Sequence, residues 1–590
     1  MKIVTTDEMR ALEKATDAAG WTYDDMMEAA GKAVAAAIEA HLGHLAAGPV
    51  LILAGPGNNG GDGLVAARWL QAWDWEVRVY AWKRPGAKSD ANFHKLTEAG
   101  IPVVHAEADA DRARLRAWLD EALVVVDALL GTGVARPIEG ELADILALTR
   151  QAVSEETRLV SLPPAEDEGD DAAGALFNLT EPLAELDRFD EAQLSNIEVV
   201  AVDCVSGLDC TTGAVDPAAL PADFTVTFGF PKYGHYLGRG ADVSGTLLAA
   251  DIGIPDDLAA AIQVEIVTPT MIAEMLPARP RRAHKGSFGK ALIVAGSVYY
   301  TGAAALAAQA ATRAGAGLVT LGVARPLHGI LAPSLLEVTW LPLAHDMGVL
   351  ASDAARMINE KLAGYKALLI GPGLSTEKET GAFLKAFFQP EEPKAKQRSA
   401  IGFAASAPER AAASGGGEEG KASGPRADLP PLVVDADALN WLAQQENWPA
   451  LLPANSILTP HPGEMARLCK LELDAVQADR WGLATNQAKA WNQVVVLKGA
   501  YTVIAAPDGR VRVLPFANPA LATAGTGDVL AGAITALLAQ GLAPFDAAVT
   551  GAYLHGLAGD LAAQEIGLAG AVAEDIISFL PAAWRRLSGQ

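Results

Sequence analysis

Two α/β domains in one chain is the fold that the sequence predicts. Three observations predict it: a length of 590 residues, two separate series of short apolar runs alternating with helix-like segments, and glycine-rich turns where those runs end. Single cores stop growing near about 250–300 residues, so a chain this long divides. Apolar runs alternating with helical segments are the pattern of parallel strands joined by crossover helices. A composition that is 51% hydrophobic with 57 glycines suits apolar strands, Ala-rich helices and tight strand-to-helix turns.

Amphipathic stretches at 6–19 and 24–40 open the chain. The first series of expected strands is 50–54, 76–81, 123–128 and 198–205, with 224–230 after it. The second is 291–295, 318–323, 367–371, 432–435, 457–459 and 494–498. Pro277, Pro280 and the basic run Arg279-Pro-Arg-Arg282 mark the junction, which sets the domains at 1–265 and 266–590. Two segments read as inserts: 154–195, with the acidic run Glu166-Asp-Glu-Gly-Asp-Asp171, and 389–429, with its Gly/Ser/Glu-rich stretch 411–420. Neither has a sustained period, so both are expected to be exposed, mobile and without chemistry.

The formal charge of −25 argues against a nucleic-acid partner, whose binding rests on Lys and Arg neutralising phosphates. A small anionic ligand is compatible with it, because open N–H groups at a helix start and one or two local cations hold phosphates on acidic proteins. No uninterrupted apolar stretch reaches the ~18–20 residues of a membrane span, and the start, Met1 to Arg10, carries acids in place of a basic leader. Cys204, Cys210 and Cys469 lack metal-ligand spacing and cannot all pair. They are expected to be packing or surface residues in a reducing cytoplasm. Ala/Gly-rich helix faces suit self-association into a homo-oligomer.

The run 50–54 leads straight into Gly55-Pro-Gly-Asn-Asn-Gly-Gly-Asp-Gly63, with a helix expected from about 64 to 73. Strand, glycine loop and helix in that order let the backbone approach a phosphate and aim open N–H groups at it. Gly55, Gly57 and Gly60 satisfy Gly-x-Gly-x-x-Gly, yet the next strand ends in Trp82-Lys83-Arg84, where a nicotinamide-dependent dehydrogenase needs an acid for the ribose. An ordinary dehydrogenase therefore loses ground, and Lys83 and Arg84 are left to meet a 2′-phosphate or solvent. The loop also carries Asn58, Asn59 and Asp62, which read either as turn formers or as ligand contacts. Two more apolar runs end in an acid, one at Asp127 before Gly131-Thr-Gly-Val-Ala-Arg-Pro137, the other at Asp203 before Ser206-Gly-Leu-Asp209. Ligands of open parallel sheets bind outside the carboxyl ends of strands, and a buried carboxylate there needs a cation or a proton-transfer role.

Together these motifs resemble NAD(P)H-hydrate epimerase over about residues 1–250. The resemblance implies a Rossmann-like three-layer domain in which Asn59, Asp127 and Ser206 ligate a potassium ion. It implies a dinucleotide site lined by Asn58, Asn59, Gly60, Gly61 and Asp62, by Gly131, Thr132, Gly133, Val134, Ala135, Arg136 and Pro137, and by Asp203, the expected acid/base. Val205 stands where that family usually has proline.

In the second half, Ala524-Gly-Thr-Gly-Asp528 runs into an Ala-rich helix. Open N–H groups at a helix start form an anion hole, and an aspartate beside them can take a proton from an attacking hydroxyl, a pairing that suits phosphoryl transfer. No Gly-x-x-x-x-Gly-Lys-Ser/Thr loop occurs, so a P-loop NTPase is not supported. Further motifs precede that helix in order: His284-Lys-Gly286, Gly296-Ser297 to Ala304, Gly371-Pro-Gly-Leu374, Asp435-Ala-Asp437, Thr459-Pro-His-Pro-Gly-Glu464 and Lys498-Gly499. Over about residues 265–590 they resemble the ADP-dependent NAD(P)H-hydrate dehydratases of the ribokinase-like superfamily.

That resemblance implies a ribokinase-like α/β domain with Asp528 as catalytic base. Ala303, Gly373, His461 and Asp528 line the hydrate pocket, and Lys498, Gly499, Ala500, Tyr501, Thr502 and Gly527 bind the adenine nucleotide. Magnesium and ADP or ATP are the implied phosphoryl-transfer partners, and hydrated NADH or NADPH the substrate. Leu335-Leu336-Glu337-Val338 stands where a Pro-Glu sequence is expected. The alternative is a ribokinase-like kinase of a thiazole, pyrimidine or sugar alcohol with an accessory binding domain, against which the Asn-Asn-Gly-Gly-Asp segment speaks. A non-enzymatic scaffold is opposed by the intact Asn59, Asp127, Asp203 and Asp528.

Overall fold

The computed structural model describes residues 1–43, 48–133, 136–155, 176–178, 197–390, 426 and 429–589. They divide into two compact units, Met1–Pro269 and Thr270–Gln590.

The sheet of the first unit runs in the order Val103–His105, Val77–Ala81, Val50–Ala54, Val124–Ala128, Glu198–Val202, Phe224–Phe228, Thr246–Ala250 and Leu176–Asn178. Neighbours are parallel except the last pair, which is antiparallel. Side chains alternate across it. Val50, Ile52 and Ala54 pack with the helices Thr6–Ala18, Tyr23–Leu42 and Asn58–Ala72 on one face, while Leu51 and Leu53 pack with Ala113–Leu119 and Glu141–Glu155 on the other. Burial of both faces makes three layers and explains strands that read as continuous apolar runs. Order reverses between Val50–Ala54 and Val124–Ala128, so their carboxyl ends open a crevice.

Several sequence expectations are corrected here. The strands Val103–His105 and Thr246–Ala250 were not expected, and Leu176–Asn178 forms a strand inside the segment read as an insert. Residues 156–175 and 179–195 of that segment lie outside the described residues, as do 391–425 and 427–428 of the second, while 154 and 155 end the helix Glu141–Glu155. The helix expected from about 64 starts at Asn58, so Asn58 to Gly63 lie on its first turns rather than in a loop. Their small size is required there: a Cβ on Gly60 would sit 2.1 Å from the Gly55 carbonyl oxygen.

Cys204 and Cys210, expected as plain thiols, are joined by a disulfide, and both are buried. The turn after Val202 doubles back, with Leu208 bridging to Val215 and Gly234 N–H donating to the Cys210 carbonyl, and this brings the two sulfurs together. Cys469 is free. Alkylation of the denatured, unreduced chain is expected to label one cysteine, and three after reduction, as read by mass spectrometry. Three labels before reduction would deny the bond.

In the second unit the sheet order is Thr339–Leu343, Leu318–Ala324, Lys290–Val294, Ala367–Ile370, Leu432–Val434, Ile457–Leu458 and Val494–Leu497, all parallel, then Val503–Ala505 and Val511–Val513, antiparallel. Thr339–Leu343 and the two antiparallel strands are additions to the expected series. Again the order reverses at the centre, between Lys290–Val294 and Ala367–Ile370. The helices Thr301–Arg313 and Thr526–Ala539 pack closely: a Cβ on Gly532 would lie 2.3 Å from the Ala307 carbonyl oxygen. Gly532→Ala is expected to destabilise the second unit by about 1–3 kcal/mol through overpacking. A drop in its melting temperature with the first unit unchanged is the result to look for, and an unaltered melt would show that the helices adjust freely.

Candidate active sites

At the crevice of the first unit, Asn59 comes from the helix start, Asp127 from the central strand and Ser206 from the turn after Glu198–Val202. The Ser206 hydroxyl donates to Asp127 Oδ1 at 2.6 Å and its N–H to Oδ2 at 2.8 Å, while Leu129 N–H donates to Oδ1 at 3.2 Å. Asn59 Nδ2 donates to the carbonyls of Leu130 and Val202, both at 2.8 Å, and its Oδ1 lies against Gly131. Asp127 is fully buried, and among the described residues no basic side chain pairs with it. Burial pushes its carboxyl up against the pull of the Ser206 bonds. A buried carboxylate with neutral partners beside a hydroxyl, an amide oxygen and carbonyls is an oxygen-donor set of the kind hard cations take.

Asp203 sits one turn away in a left-handed conformation, φ 60°. Its Oδ1 accepts from Lys232 Nζ, from Thr227 Oγ1 at 3.1 Å and from Phe228 N–H at 3.0 Å. Burial alone would raise its pKa, but the charge and hydrogen bond of Lys232, with the Phe228 N–H, hold it below the ordinary value. Asp62 is driven the other way. Burial and the neighbouring charges of Asp203 and Glu13 push it well above the usual range, against Arg84 and Lys232. Glu13, on the helix Thr6–Ala18, is likewise raised by burial. The environment thus favours the ionised form at Asp203 and the protonated form at Asp62, a split of the kind that marks acid and base roles.

Gly131 and Thr132 line the same edge, and Gly133 lies near Arg10. Val134 and Ala135 lie outside the described residues, and Arg136 and Pro137 are exposed. Arg84 proves to be structural. It is buried, donates to the carbonyls of Gly55 and Gly57 at 2.7 and 2.9 Å and pairs with Asp90 at 2.7 Å, so Lys83, exposed beside Trp82, is the one left to meet solvent. Sequence reasoning missed Lys232, Thr227 and Glu13. Lys232 follows Phe224–Phe228 as part of Pro231-Lys232, and a strand end was the one available signal.

In the second unit Gly525, at φ 94°, turns the chain into the helix Thr526–Ala539, which no side chain caps; Thr526 N–H donates to the Thr523 carbonyl, and the N–H groups of Gly527 and Asp528 stay open. Asp528 stands in the first turn, its carboxyl pushed up to about 7 by burial and by Asp435, against Lys498. Lys498 pairs with Asp435 at 3.0 Å and Glu464 at 3.7 Å and lies 3.5 Å from where a Gly527 Cβ would be. Burial disfavours its charge, but Asp435 and Glu464 more than restore it. Glu464 is pushed up to about 6 by burial, with Lys498 opposing. Asp435 also accepts from Thr459 Oγ1 at 2.7 Å. Three carboxylates around one ammonium leave excess negative charge, which suits a bound divalent cation.

A cavity of 340 Å³ opens beside this cluster, lined by Lys498, Gly499, Ala500, Thr502 and Gly527 together with Phe516, Asn518 and His555. Tyr501 does not line it; at φ 51° its side chain is buried instead. Arg480 braces the loop by donating to the carbonyls of Ala500 at 2.7 Å and Lys498 at 3.1 Å. Gly373 and Ala303 meet at the central crevice, where a Gly373 Cβ would lie 2.8 Å from that of Ala303. His461 caps the helix Pro462–Cys469 through Nδ1, which accepts from Gly463 N–H at 3.0 Å, and its Nε2 lies 3.5 Å from Glu464. Burial and the charge of Lys498 lower its pKa. A larger cavity, 810 Å³, lies over Arg279, Leu335–Val338 and Trp584 and touches none of these groups.

Comparison with known proteins matches the two halves to separate family models. One, described as the YjeF-related protein N-terminus, covers residues 23–163 and 175–234, and the other, NAD(P)H-hydrate dehydratase, covers 291–406 and 425–582. The bifunctional NAD(P)H-hydrate repair enzyme of Moorella thermoacetica is 36% identical, with 100% of this chain and 97% of that relative aligned. The Escherichia coli enzyme of the same name is 31% identical over 97% of this chain and 92% of its own. The crystal structure of an ADP/ATP-dependent NAD(P)H-hydrate dehydratase from Bacillus subtilis, co-crystallised with ATP/Mg2+, aligns with 55% of this chain and 100% of its own at 28% identity and a TM-score of 0.43. Both units are α/β domains built on a mainly parallel sheet. With both halves matched in order and relatives aligned end to end, the chain belongs to the family of bifunctional NAD(P)H-hydrate repair enzymes.

Proposed function

We propose that the first unit interconverts the two epimers of hydrated NADH or NADPH and that the second dehydrates one of them with ADP or ATP. The observation that carries this reading is that both crevices hold the chemistry their half requires, in a chain aligned end to end with repair enzymes. In the first, Asn59, Asp127 and Ser206 would hold a potassium ion, which supplies positive charge for the dinucleotide when bound. Asp203, whose ionised form Lys232 favours, is the base for the hydroxyl on the hydrated ring carbon, and Asp62, whose protonated form burial favours, is the acid within the same site. Inversion of such a hemiaminal carbon needs that pair: the base takes the hydroxyl proton as the ring C–N bond opens to an aldehyde, the acid protonates the released ring nitrogen, and the reverse steps close the ring on the other face.

In the second, Asp528 takes the proton of the ring hydroxyl as its oxygen attacks the terminal phosphorus of the nucleotide. The new O–P bond forms as the bond from that phosphorus to the bridging oxygen breaks, and AMP leaves from ADP or ADP from ATP. Phosphate then departs from the ring carbon with the C–O electrons, and loss of a proton from the adjacent carbon restores the dihydropyridine. The open N–H groups of Gly527 and Asp528 and the Lys498 ammonium stabilise charge developing on the phosphoryl oxygens. Magnesium supplies further neutralisation when bound with the nucleotide. Ala303, Gly373 and His461 line the ring's side of the pocket.

We place this activity in the cytoplasm, where nicotinamide and adenine nucleotides are held; burial of both sulfurs shields the Cys204–Cys210 bond from thiols there. No helix among the described residues is long and apolar enough to cross a membrane. The test is recovery of reduced-nicotinamide absorbance from mixed epimers with ADP and magnesium. Complete recovery is expected, and with Asp203→Ala a fast phase followed by a slow one. No recovery with either ADP or ATP would overturn the reading.

A further inference from the structure

Arg480 opens the helix Arg480–Trp491 and belongs to no motif read from the sequence, yet its guanidinium is committed to the loop between Val494–Leu497 and Val503–Ala505. Nη1 donates to the Ala500 carbonyl at 2.7 Å, and Nη2 to the carbonyls of Lys498 at 3.1 Å and Leu497 at 3.4 Å. So close an approach needs a glycine at 499, where a Cβ would lie 2.7 Å from Nη2. Among the described residues no carboxylate pairs with Arg480. A guanidinium stays charged, and a half-buried one without a carboxylate is costly unless what it holds has a use. The effect falls on the N–H side of the loop. In a trans peptide the C=O and N–H point in opposite directions, so the bond from Arg480 to the Lys498 carbonyl turns the Gly499 N–H away from the guanidinium. The Gly499 carbonyl is in turn held by Thr502 Oγ1 at 2.8 Å. Of four successive N–H groups, those of Lys498 and Tyr501 donate to the carbonyls of Pro460 and Phe516 at 2.9 and 2.8 Å, while among the described residues those of Gly499 and Ala500 have no acceptor. Gly499 and Ala500 are exposed and line the 340 Å³ cavity; Arg480 does not. Two successive open N–H groups beside the Lys498 ammonium make an anion-binding concavity.

We infer that Arg480 is a positioning residue for nucleotide binding, which from behind the loop fixes the Lys498–Gly499 peptide so that the Gly499 and Ala500 N–H groups meet a phosphate oxygen of ADP or ATP. This rests on the reading above that the nucleotide occupies the 340 Å³ cavity. The fork matters as well as the charge. Two nitrogens reaching three carbonyls within four residues hold one loop shape, which the point charge of an ammonium does not. A loop already held in its bound shape gives up little freedom when the nucleotide arrives, so the contribution of Arg480 appears in affinity and not in the rate of the bound complex.

Calorimetric binding of ADP with magnesium is compared in full-length wild type, Arg480→Ala, Arg480→Lys and Arg480→Gln, and steady-state recovery of reduced nicotinamide gives the KM values for ADP and for the hydrate. Arg480→Ala is expected to bind ADP about 10-fold or more weakly and to raise the KM for ADP by a similar factor, with the KM for the hydrate unmoved and kcat at saturating ADP little changed. Arg480→Lys keeps the charge without the fork and should restore only part of that affinity. Arg480→Gln, which can still donate to one carbonyl, carries the same comparison if Arg480→Ala does not fold. Wild-type ADP affinity in Arg480→Ala or Arg480→Gln would overturn the inference. So would full restoration by Arg480→Lys, which assigns the effect to charge alone, or an equal rise in both KM values, which assigns it to a general loosening of the second unit. A wild type that binds neither ADP nor ATP removes the nucleotide reading itself, whereas a wild type that binds ADP, matched by its variants, rejects the role of Arg480 alone.

Discussion

Asp528→Ala is expected to bind nucleotide and hydrate and to dehydrate about 10²–10⁴-fold more slowly than wild type, the usual worth of a positioned general base. A wild-type rate in that variant would refute the assignment of the base. The pH dependence is the sharper test. Burial and Asp435 hold the Asp528 carboxyl at about 7, and a base acts only when ionised, so the wild-type rate should climb with pH through about 7 and level above it. A flat profile from pH 5 to 8 would assign the proton to another group. Stability moves in the opposite sense. For an acid whose folded pKa is raised, the native state keeps the proton that the unfolded chain gives up near pH 4. The corresponding stability is present at low pH and is lost as pH rises from about 4 to 7. Asp528→Asn, which never ionises, should therefore melt higher than wild type at pH 8 and by a smaller margin at pH 5, while remaining inactive. A residue that costs stability at working pH is the trade that active sites make.

Most of this design is legible in the sequence where residues repeat a strong local pattern. The central strands Val50–Ala54, Val124–Ala128 and Val494–Leu497 are buried on both sides, so their apolar runs are unbroken. Edge strands and very short strands escape that signal. Val103–His105 is half-buried, Thr339–Leu343 contains Pro342, and Val503–Ala505 and Val511–Val513 are three residues each, too short to show a period. The acids that end strands, Asp127 and Asp203, were legible because a carboxylate after an apolar run needs a reason to be there. Their partners were not, because pairing is a tertiary fact. Lys232 lies 29 residues beyond Asp203, and Glu13 reaches the same crevice from a surface helix. Arg84 shows the converse error. Its place after a second strand reads as a contact with a 2′-phosphate or with solvent, but the fold uses its guanidinium on the Gly55 and Gly57 carbonyls. The Cys204–Cys210 bond was hidden for the same reason, since a reverse turn, not spacing, brings those sulfurs together.

Lys232→Met is expected to destabilise the first unit by about 3–5 kcal/mol and, like Asp203→Ala, to split recovery into a fast phase followed by a slow one. Lys232 is fully buried, and its ammonium is the counter-charge of Asp203, so its removal leaves a carboxylate in the core with only Thr227 and Phe228 to bond it. Met preserves the volume, which confines the effect to charge. The sign with pH follows from the depressed pKa of Asp203. A carboxyl held below its unfolded value contributes stability that is present above about 3.9 and lost as pH falls through the folded pKa. Without Lys232 that contribution becomes a penalty, largest at pH 7 and shrinking toward pH 4 as Asp203 takes up a proton. Urea midpoints of the variant and wild type should therefore converge on acidification. Asp203→Asn combined with Lys232→Met removes both charges and should recover much of the stability while recovering none of the epimerisation, a coupling that a double-mutant cycle measures directly. If the single variant is as stable as wild type and turns over both epimers, the pair is dispensable, and the first unit's acid/base work must be sought at Asp62 and Glu13.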